Sequence, residues 1–314
     1  MPLHSALARL QQGTTLSLLL AALAWLGWHW RDSPALAAVG AVFILFFFSI
    51  VLAIEFVTMR YVGGGDPAPR PTWAELGRAW FSETIAALSV FAWRQPFRWR
   101  EVPDQLAPPP GQPARRGVVF VHGFVCNRGF WTPWMKELRA RGHCFMAVNL
   151  EPVFGSIDDY IPIIEDAVVQ VTRVTGMPPV LVCHSMGGLA ARAWLCAKAG
   201  SRIDHVITIG SPHHGTWLAQ FSHLKNGTQM KRQGNWLKCL ERQEAAGAKA
   251  KFTCWYTNCD NIVFPASTAT LPGADNRLVR GVAHVELAFH PEVLRESLAL
   301  IGPASPGFDL DGSC

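Results

Sequence analysis

Two long apolar stretches open the chain. No residue from Leu10 to Trp30 is charged, Arg31 and Asp32 interrupt, and Ser33 to Ile54 is again free of charge. Each is close to the ~20 residues that a helix needs to cross a hydrocarbon core. The second holds the run Val42-Phe43-Ile44-Leu45-Phe46-Phe47-Phe48 and is the stronger span, whereas Gln11, Gln12, Gly13, Thr14 and Thr15 dilute the start of the first. The pattern predicts a two-helix transmembrane hairpin over residues 1–62, with Trp25, Trp28 and Trp30 in an interfacial belt beside its turn. A signal peptide cleaved near Ala35-Leu36-Ala37 and a buried soluble helix pair are the competing readings. Gly63-Gly64-Gly65-Asp66-Pro67 ends the helix, and residues 63–116 read as a linker. Within it, Thr72 to Trp99 predicts one or two helices rich in Trp and Phe, with Arg94, Arg98 and Arg100 at the far end. That composition suits an amphipathic segment lying among lipid headgroups, and equally a helix packed on a soluble domain. Asp104 to Arg116, with Pro108-Pro109-Pro110-Gly111, marks a domain boundary.

From residue 117 onward, short apolar runs alternate with amphipathic helices. Strands are expected at Gly117–Val121, Cys144–Leu150, Pro179–Cys183, His205–Ile209, Phe252–Thr257 and Leu278–Val282. Helices are expected to open at Thr132-Pro133 and after Ser156-Ile157-Asp158-Asp159, which resembles a capping box, to run from Met186 to Ala199, and to close with Pro291–Ile301. This is an α/β pattern: a mostly parallel sheet with helices on both faces, occupying residues 117–314. Trp217 to Lys251 interrupts the alternation as a candidate lid or cap. Its apolar residues, Leu218, Phe221, Leu224 and Trp236, Leu237, Leu240, recur at helical spacing. Its Lys225, Lys231, Arg232, Lys238, Arg242, Lys249 and Lys251 outnumber Glu241 and Glu244.

Composition narrows the function classes. With 50% hydrophobic and 16% charged residues among 314, the chain is no disordered solvating polypeptide. The net charge of +5 is too modest to point to nucleic acid. Eight cysteines are too sparse for a disulfide scaffold, and neither CxxC nor zinc-type Cys/His spacing occurs, so reduced thiols scattered through a core are expected.

The candidate chemistry lies at the strand ends. In Val182-Cys183-His184-Ser185-Met186-Gly187-Gly188 a strand runs into a helix with a serine on the bend. Such a turn exposes the hydroxyl and aims a helix N-terminus at developing negative charge, and it needs small neighbours, which Gly187 and Gly188 supply. Phe120-Val121-His122-Gly123-Phe124 follows the first strand, so the Phe124 and Met186 N–H groups are candidates for an oxyanion hole. Asp260 follows the fifth strand and His284 the last. The order Ser185, Asp260, His284 is that of a nucleophile–acid–base triad. The chain has 11 histidines. Of these, His122 is expected to be structural in the turn after the first strand and His184 to point away from Ser185, with lining of the substrate site the alternative for both; His213 and His214, beyond the fourth strand, are candidates to line the site, and His290 starts a helix. Asp204 and Asp275 are the runners-up to Asp260, and Glu286 is the acid nearest His284.

Together these segments, with Gly210-Ser211-Pro212-His213-His214-Gly215-Thr216, Asp260-Asn261-Ile262-Val263 and Gly281-Val282-Ala283-His284, resemble the α/β-hydrolase superfamily, and more closely its bacterial lipases and esterases. The resemblance spans residues 117 to about 301 and departs from the family pattern at Cys183, where a glycine is usual. It implies an α/β-hydrolase fold, a Ser185–His284–Asp260 triad acting through an acyl-enzyme, no cofactor or metal, and a lipid or other hydrophobic carboxylic ester as substrate. The insertion would then be a lid whose apolar face meets acyl chains and whose lysines meet anionic headgroups, or a solvated cap seated on the core. A thioesterase, acyltransferase or amidase on the same triad, and a non-catalytic membrane-bound binding protein, are the alternatives. Arg9 before the first span and Arg60 and Arg70 after the second, against Arg31 and Asp32 in the turn, favour a multi-pass protein of a bacterial-type inner membrane. Its catalytic domain would be cytoplasmic, with an extracytoplasmic placement as the alternative, and nothing in the sequence sets the oligomeric state.

Overall fold

The computed structural model describes residues 5–111, 113–198, 203–245 and 250–302. Ala199 at the end of one expected helix, Lys249 of the insertion and the tail 303–314 lie outside the described residues. The chain opens with α1 (Ala6–His29), whose N-terminus is capped by Ser5 accepting from the Ala8 N–H. After a short turn, Ser33 caps α2 (Pro34–Val62), with proline at its first position. The pair forms a hairpin in which the Trp25 indole donates to the Leu36 carbonyl and a side chain at Gly40 would run into the Trp25 ring. Among the described residues α2 alone is long and apolar enough to cross a membrane. The two expected spans thus reduce to one clear span, because the polar start of α1 dilutes it.

A capping box between Thr72 and Glu75 opens α3 (Trp73–Ala87), which continues through a π-helical stretch, Leu88–Arg94, into α4 (Gln95–Phe97). The two faces of this segment differ. Leu76, Ala79 and Glu83 are buried, Trp80 lies against α2 with its indole donating to the Ser49 carbonyl, and Trp73, Phe81, Ile85, Trp93 and Phe97 are exposed. The buried face joins Phe56 and Met59 of α2 in a small core with Cys259, Phe264 and Ala283.

The remaining strands are β1 (Val118–Val121), β2 (Phe145–Ala147), β3 (Val180–His184), β4 (His205–Ile209), β5 (Phe252–Thr257) and β6 (Asp275–Val279). They form one sheet, ordered β2-β1-β3-β4-β5-β6, with every neighbour parallel. Successive side chains alternate between faces. Val118, Phe120, Val180, Val182, Ile207, Ile209 and Trp255 face a core shared with α5 (Thr132–Ala140) and α11 (Pro291–Ile301). Val119, Val121, Leu181, Cys183 and Val206 face α6 (Ile161–Thr175) and α7 (Met186–Ala197). The capping box at Ser156 opens a 3-10 turn that leads into α6, and Gly176 ends that helix at φ 68°. The last strand begins at Asp275 rather than Leu278. It is a sheet edge, where exposed Asp275 and Asn276 cost nothing, and apolar content misplaces such a strand.

The insertion holds a 3-10 turn (Leu218–Phe221), α8 (Lys225–Gln229) and α9 (Asn235–Ala245). Leu237 and Leu240 enter the second core and Glu244 pairs with the buried Arg192 of α7, so α9 is seated on the domain. Phe221 and Leu224 stay exposed. Between α9 and β5 the residues 246–249 are not described. The short helix α10 (His284–Leu287) precedes α11.

The expected boundary at Asp104 is stitched into the domain. The buried Arg128 guanidinium donates to Asp104 and to the Val102 and Ala147 carbonyls. Asp104 also accepts from the Ala147 N–H of β2, and Gln105 pairs with Phe145. Removing one member of a buried ion pair strands the other. Asp104→Ala should therefore destabilise the fold by about 3–5 kcal/mol, read as a lower thermal unfolding temperature of the detergent-solubilised protein.

Candidate active site

In this sheet order the chain reverses its direction of growth between β1 and β3. A crevice forms there, beyond the carboxyl ends of the strands. Ser185 stands at that point, between the last residue of β3 and the first of α7, at φ 54° and ψ −128°. Few non-glycine residues adopt such a backbone, at a cost of about 1–3 kcal/mol. Its surroundings hold it. The Ser185 N–H donates to the Ile209 carbonyl at 2.9 Å, and the Gly188 N–H donates back to the Ser185 carbonyl at 3.1 Å. A Cβ on Gly187 would run into the Val121 carbonyl, one on Gly188 into the Ser211 hydroxyl, and one on Gly123 would come within 2.8 Å of the Ser185 Cβ. Cys183, at the position where the family pattern has glycine, turns into the second core instead of toward the crevice. Burial pushes its thiol up, so it serves as an apolar side chain.

His284 and Asp260 arrive from the loops after β6 and β5. The imidazole Nδ1 lies 2.9 Å from Asp260 Oδ2. The other carboxylate oxygen accepts from the Ile262 and Val263 N–H groups at 3.0 and 2.7 Å, which fixes the acid's orientation. Because an ionised carboxylate only accepts, Nδ1 carries the proton and Nε2 is left as a base. Gly210, at φ 57° just past β4, leaves room for both: a Cβ there would sit 3.1 Å from His284 Nδ1 and 3.2 Å from Asp260 Oδ2. Its neighbour Ile209 holds Ser185. Thus all three residues singled out from the sequence converge at the same end of the sheet. Phe124 and Met186 flank them, following Gly123 and opening α7, respectively. The Phe124 ring meets Phe154 edge-on at 5.9 Å.

Burial divides the histidines. By itself it depresses His284, but the charge and hydrogen bond of Asp260, with Glu83 and Glu55 behind, outweigh it and carry the net shift upward. Burial pulls His122 down to about 4. Its Nε2 accepts from the Leu150 N–H and its Nδ1 donates to the Gly123 carbonyl, so it ties the β1 loop to the end of β2. His184 and His213 are also held far below the usual imidazole value, chiefly by burial. His184 stacks on Phe130 and approaches the His284 carbonyl, while His213 faces Thr208 and Cys254. For His122, His184 and His213 the substrate-lining reading therefore gives way to buried neutral framework. His214 pairs with Glu241 of α9, and His290 stands at the N-cap position of α11 without a side-chain capping hydrogen bond. Asp204 and Asp275 lie at the amino ends of β4 and β6, at the wrong end of the sheet for the imidazole.

Three residues near the histidine escaped the sequence reading. Glu83 of α3 accepts from the Val285 and Glu286 N–H groups, and Asn261 bridges Glu55 of α2 to the His284 N–H. The signal for Glu83 was a lone acid on the face of α3 that carries Leu76 and Ala79. A cavity of about 560 Å³ lies at the opposite end of the sheet, bounded by His205 and Phe252, away from this chemistry.

The chain belongs to the alpha/beta hydrolase family, whose pattern matches residues 118–300. No curated protein matches it by sequence. Among solved structures, the mature lipase BlEst2 of Bacillus licheniformis superposes with a TM-score of 0.55 at 18% identity, over 62% of this chain and 96% of that one. Aspergillus fumigatus lipase B superposes with a TM-score of 0.54 at 14% identity, over 95% of this chain and 88% of that one. At these identities the likeness is one of fold.

The raised His284 has a consequence for pH. An imidazole must be neutral to accept a proton, so activity that depends on it falls as pH drops through its folded value. The acid limb of kcat/KM should lie above the ordinary imidazole value of about 6.5. A limb below that value would contradict the electrostatic reading of the site.

Proposed function

We propose that the protein is a membrane-anchored serine hydrolase of carboxylic esters, acting on lipid-like acyl substrates. The observation that carries this reading is the buried Asp260–His284 pair at the same end of the sheet as a serine held on a strained strand-to-helix turn. Ser185 Oγ attacks the ester carbonyl while His284 Nε2 takes its proton, and the Phe124 and Met186 N–H groups hold the oxyanion. The alkoxide leaves with the proton from His284. Water, deprotonated by the same imidazole, then hydrolyses the acyl-enzyme. Asp260 keeps the imidazole in one tautomer and stabilises its cation. Ser185→Ala should lower ester turnover on the order of 10⁴-fold and abolish labelling by a fluorophosphonate, leaving the fold intact. Labelling that persists in this variant would overturn the nucleophile. A panel of p-nitrophenyl esters and acyl-CoA thioesters separates ester from thioester chemistry.

Two features support the membrane and lipid part of the reading. The start of α1 and the end of α2 both pack near the catalytic domain: Gln11 reaches Gln95 and the Val125 carbonyl, and Phe56 and Met59 share a core with Cys259. A hairpin that enters and leaves a bilayer from one side has this form, and the arginines after α2 favour the cytoplasmic side. A groove of about 740 Å³ runs between α1 (Leu7, Leu10), the loop holding Val153 and Phe154, and Leu224 of the insertion. Through Phe154 it meets Phe124, beside the proposed oxyanion position, so it suits an acyl chain drawn from the bilayer. Leu224→Asp should lower kcat/KM for long-chain esters about 10-fold relative to butyrate. An unchanged chain-length profile would remove the groove from the substrate path.

A further inference from the structure

We propose that Glu83 is a positioning residue for His284, and that α2 and α3, which lie outside the matched hydrolase region, complete the active site. This rests on the triad reading above. Glu83 is 2% exposed. One carboxylate oxygen accepts from the Val285 N–H at 2.9 Å, and the other from the Val285 and Glu286 N–H groups at 3.1 and 3.0 Å. These are the two peptide groups immediately after His284. The neighbouring residues of α3 hold the rest of the loop. Arg78 donates to the Gly281 carbonyl, and the Ser82 hydroxyl donates to Glu286, whose carboxylate also accepts the Ala283 N–H. From the other side, Glu55 of α2 accepts from Asn261 at 2.8 Å, and Asn261 accepts from the His284 N–H at 3.4 Å. The backbone of the base is thus pinned at its own N–H and at the next two, by groups traced to the N-terminal helices.

Charge makes this more than a brace. Among the described residues no Lys or Arg forms an ion pair with Glu83. Burial raises its carboxyl to about 7, opposed by the two N–H groups and by His284 itself. The groups facing His284 are Asp260, Glu83 and Glu55, all acids, and the ring of His184 at 4.7 Å, which burial keeps neutral. When ionised, Glu83 favours the imidazolium that forms when Ser185 loses its proton, and with its carboxyl raised to about 7 that charge is fully present only above neutral pH. Backbone N–H groups alone could be satisfied by an uncharged acceptor. Above about pH 7 the ionised carboxylate adds attraction for the imidazolium, and the pH profile reports that attraction.

The test uses the full-length protein in detergent with a soluble p-nitrophenyl ester, and Ser185→Ala is run in parallel. Glu83→Gln keeps the size and one acceptor but removes the charge. It should lower kcat about 10- to 100-fold with KM little changed. It should also move the acid limb of kcat/KM to lower pH by about half a unit or more, because imidazolium loses a neighbouring anion. A folded Glu83→Gln with wild-type kcat and an unmoved limb overturns the inference. Should Glu83→Gln fail to fold, Glu83→Asp decides, since it keeps the charge but withdraws it by one methylene. Reduced kcat at unchanged KM then supports the role, and wild-type kcat overturns it. Activity retained by Ser185→Ala would instead sink the triad reading itself, so the two failures are distinguishable.

Discussion

The turn at Ser185 is the constraint around which this molecule is arranged. A non-glycine residue at φ 54° is stable only when its neighbours leave it no other conformation. Here β4 accepts its N–H through Ile209, and the β1 loop presses Gly123 against its Cβ. The first turn of α7 meets the end of β1 so closely that Gly187 admits no side chain. Each contact comes from a different strand or loop, and the parallel order β1-β3-β4 brings them to one end of the sheet. The same order sets the N-terminus of α7 at that end of the sheet.

Around that turn, environment assigns different roles to chemically identical side chains. His122, His184, His213 and His284 are all buried within one domain. Three have neutral or like-charged surroundings and are held neutral by burial. Only His284 has carboxylates close enough for their attraction to exceed the cost of desolvation. The distinction is electrostatic, and neither the residue type nor its place after a strand expresses it.

The N-terminal helices are part of the same construction. Phe56 and Met59 of α2 and Leu76 and Ala79 of α3 share a core with Ala283, the residue before His284, and with Cys259, the residue before Asp260. The opposite side of α3 leaves Trp73 and Phe81 exposed. The same helix thus has one face packed on the loops that carry Asp260 and His284 and an aromatic face exposed.

By itself the sequence determined what depends on local pattern. Apolar runs between amphipathic helices define a parallel sheet, and His205–Ile209, Phe252–Thr257 and Pro291–Ile301 occupy the spans expected from periodicity. The glycines beside Ser185, and the places of Asp260 and His284 after late strands, are properties of short segments and are legible there. Tertiary structure decided whatever depends on partners distant in the chain. The start of the edge strand at Asp275 is set by solvent on one side, not by apolar content. Asp104, at the start of the boundary expected over Asp104–Arg116, reads as linker until it meets Arg128. Glu83 acquires its meaning only when α3 lies across the first turn of α10, more than 200 residues later in the chain, where a carboxylate on an otherwise apolar face finds two N–H groups and a histidine. Periodicity records which face of a helix is buried; what that face is buried against is fixed by packing, and there the chemistry of the buried charge is decided.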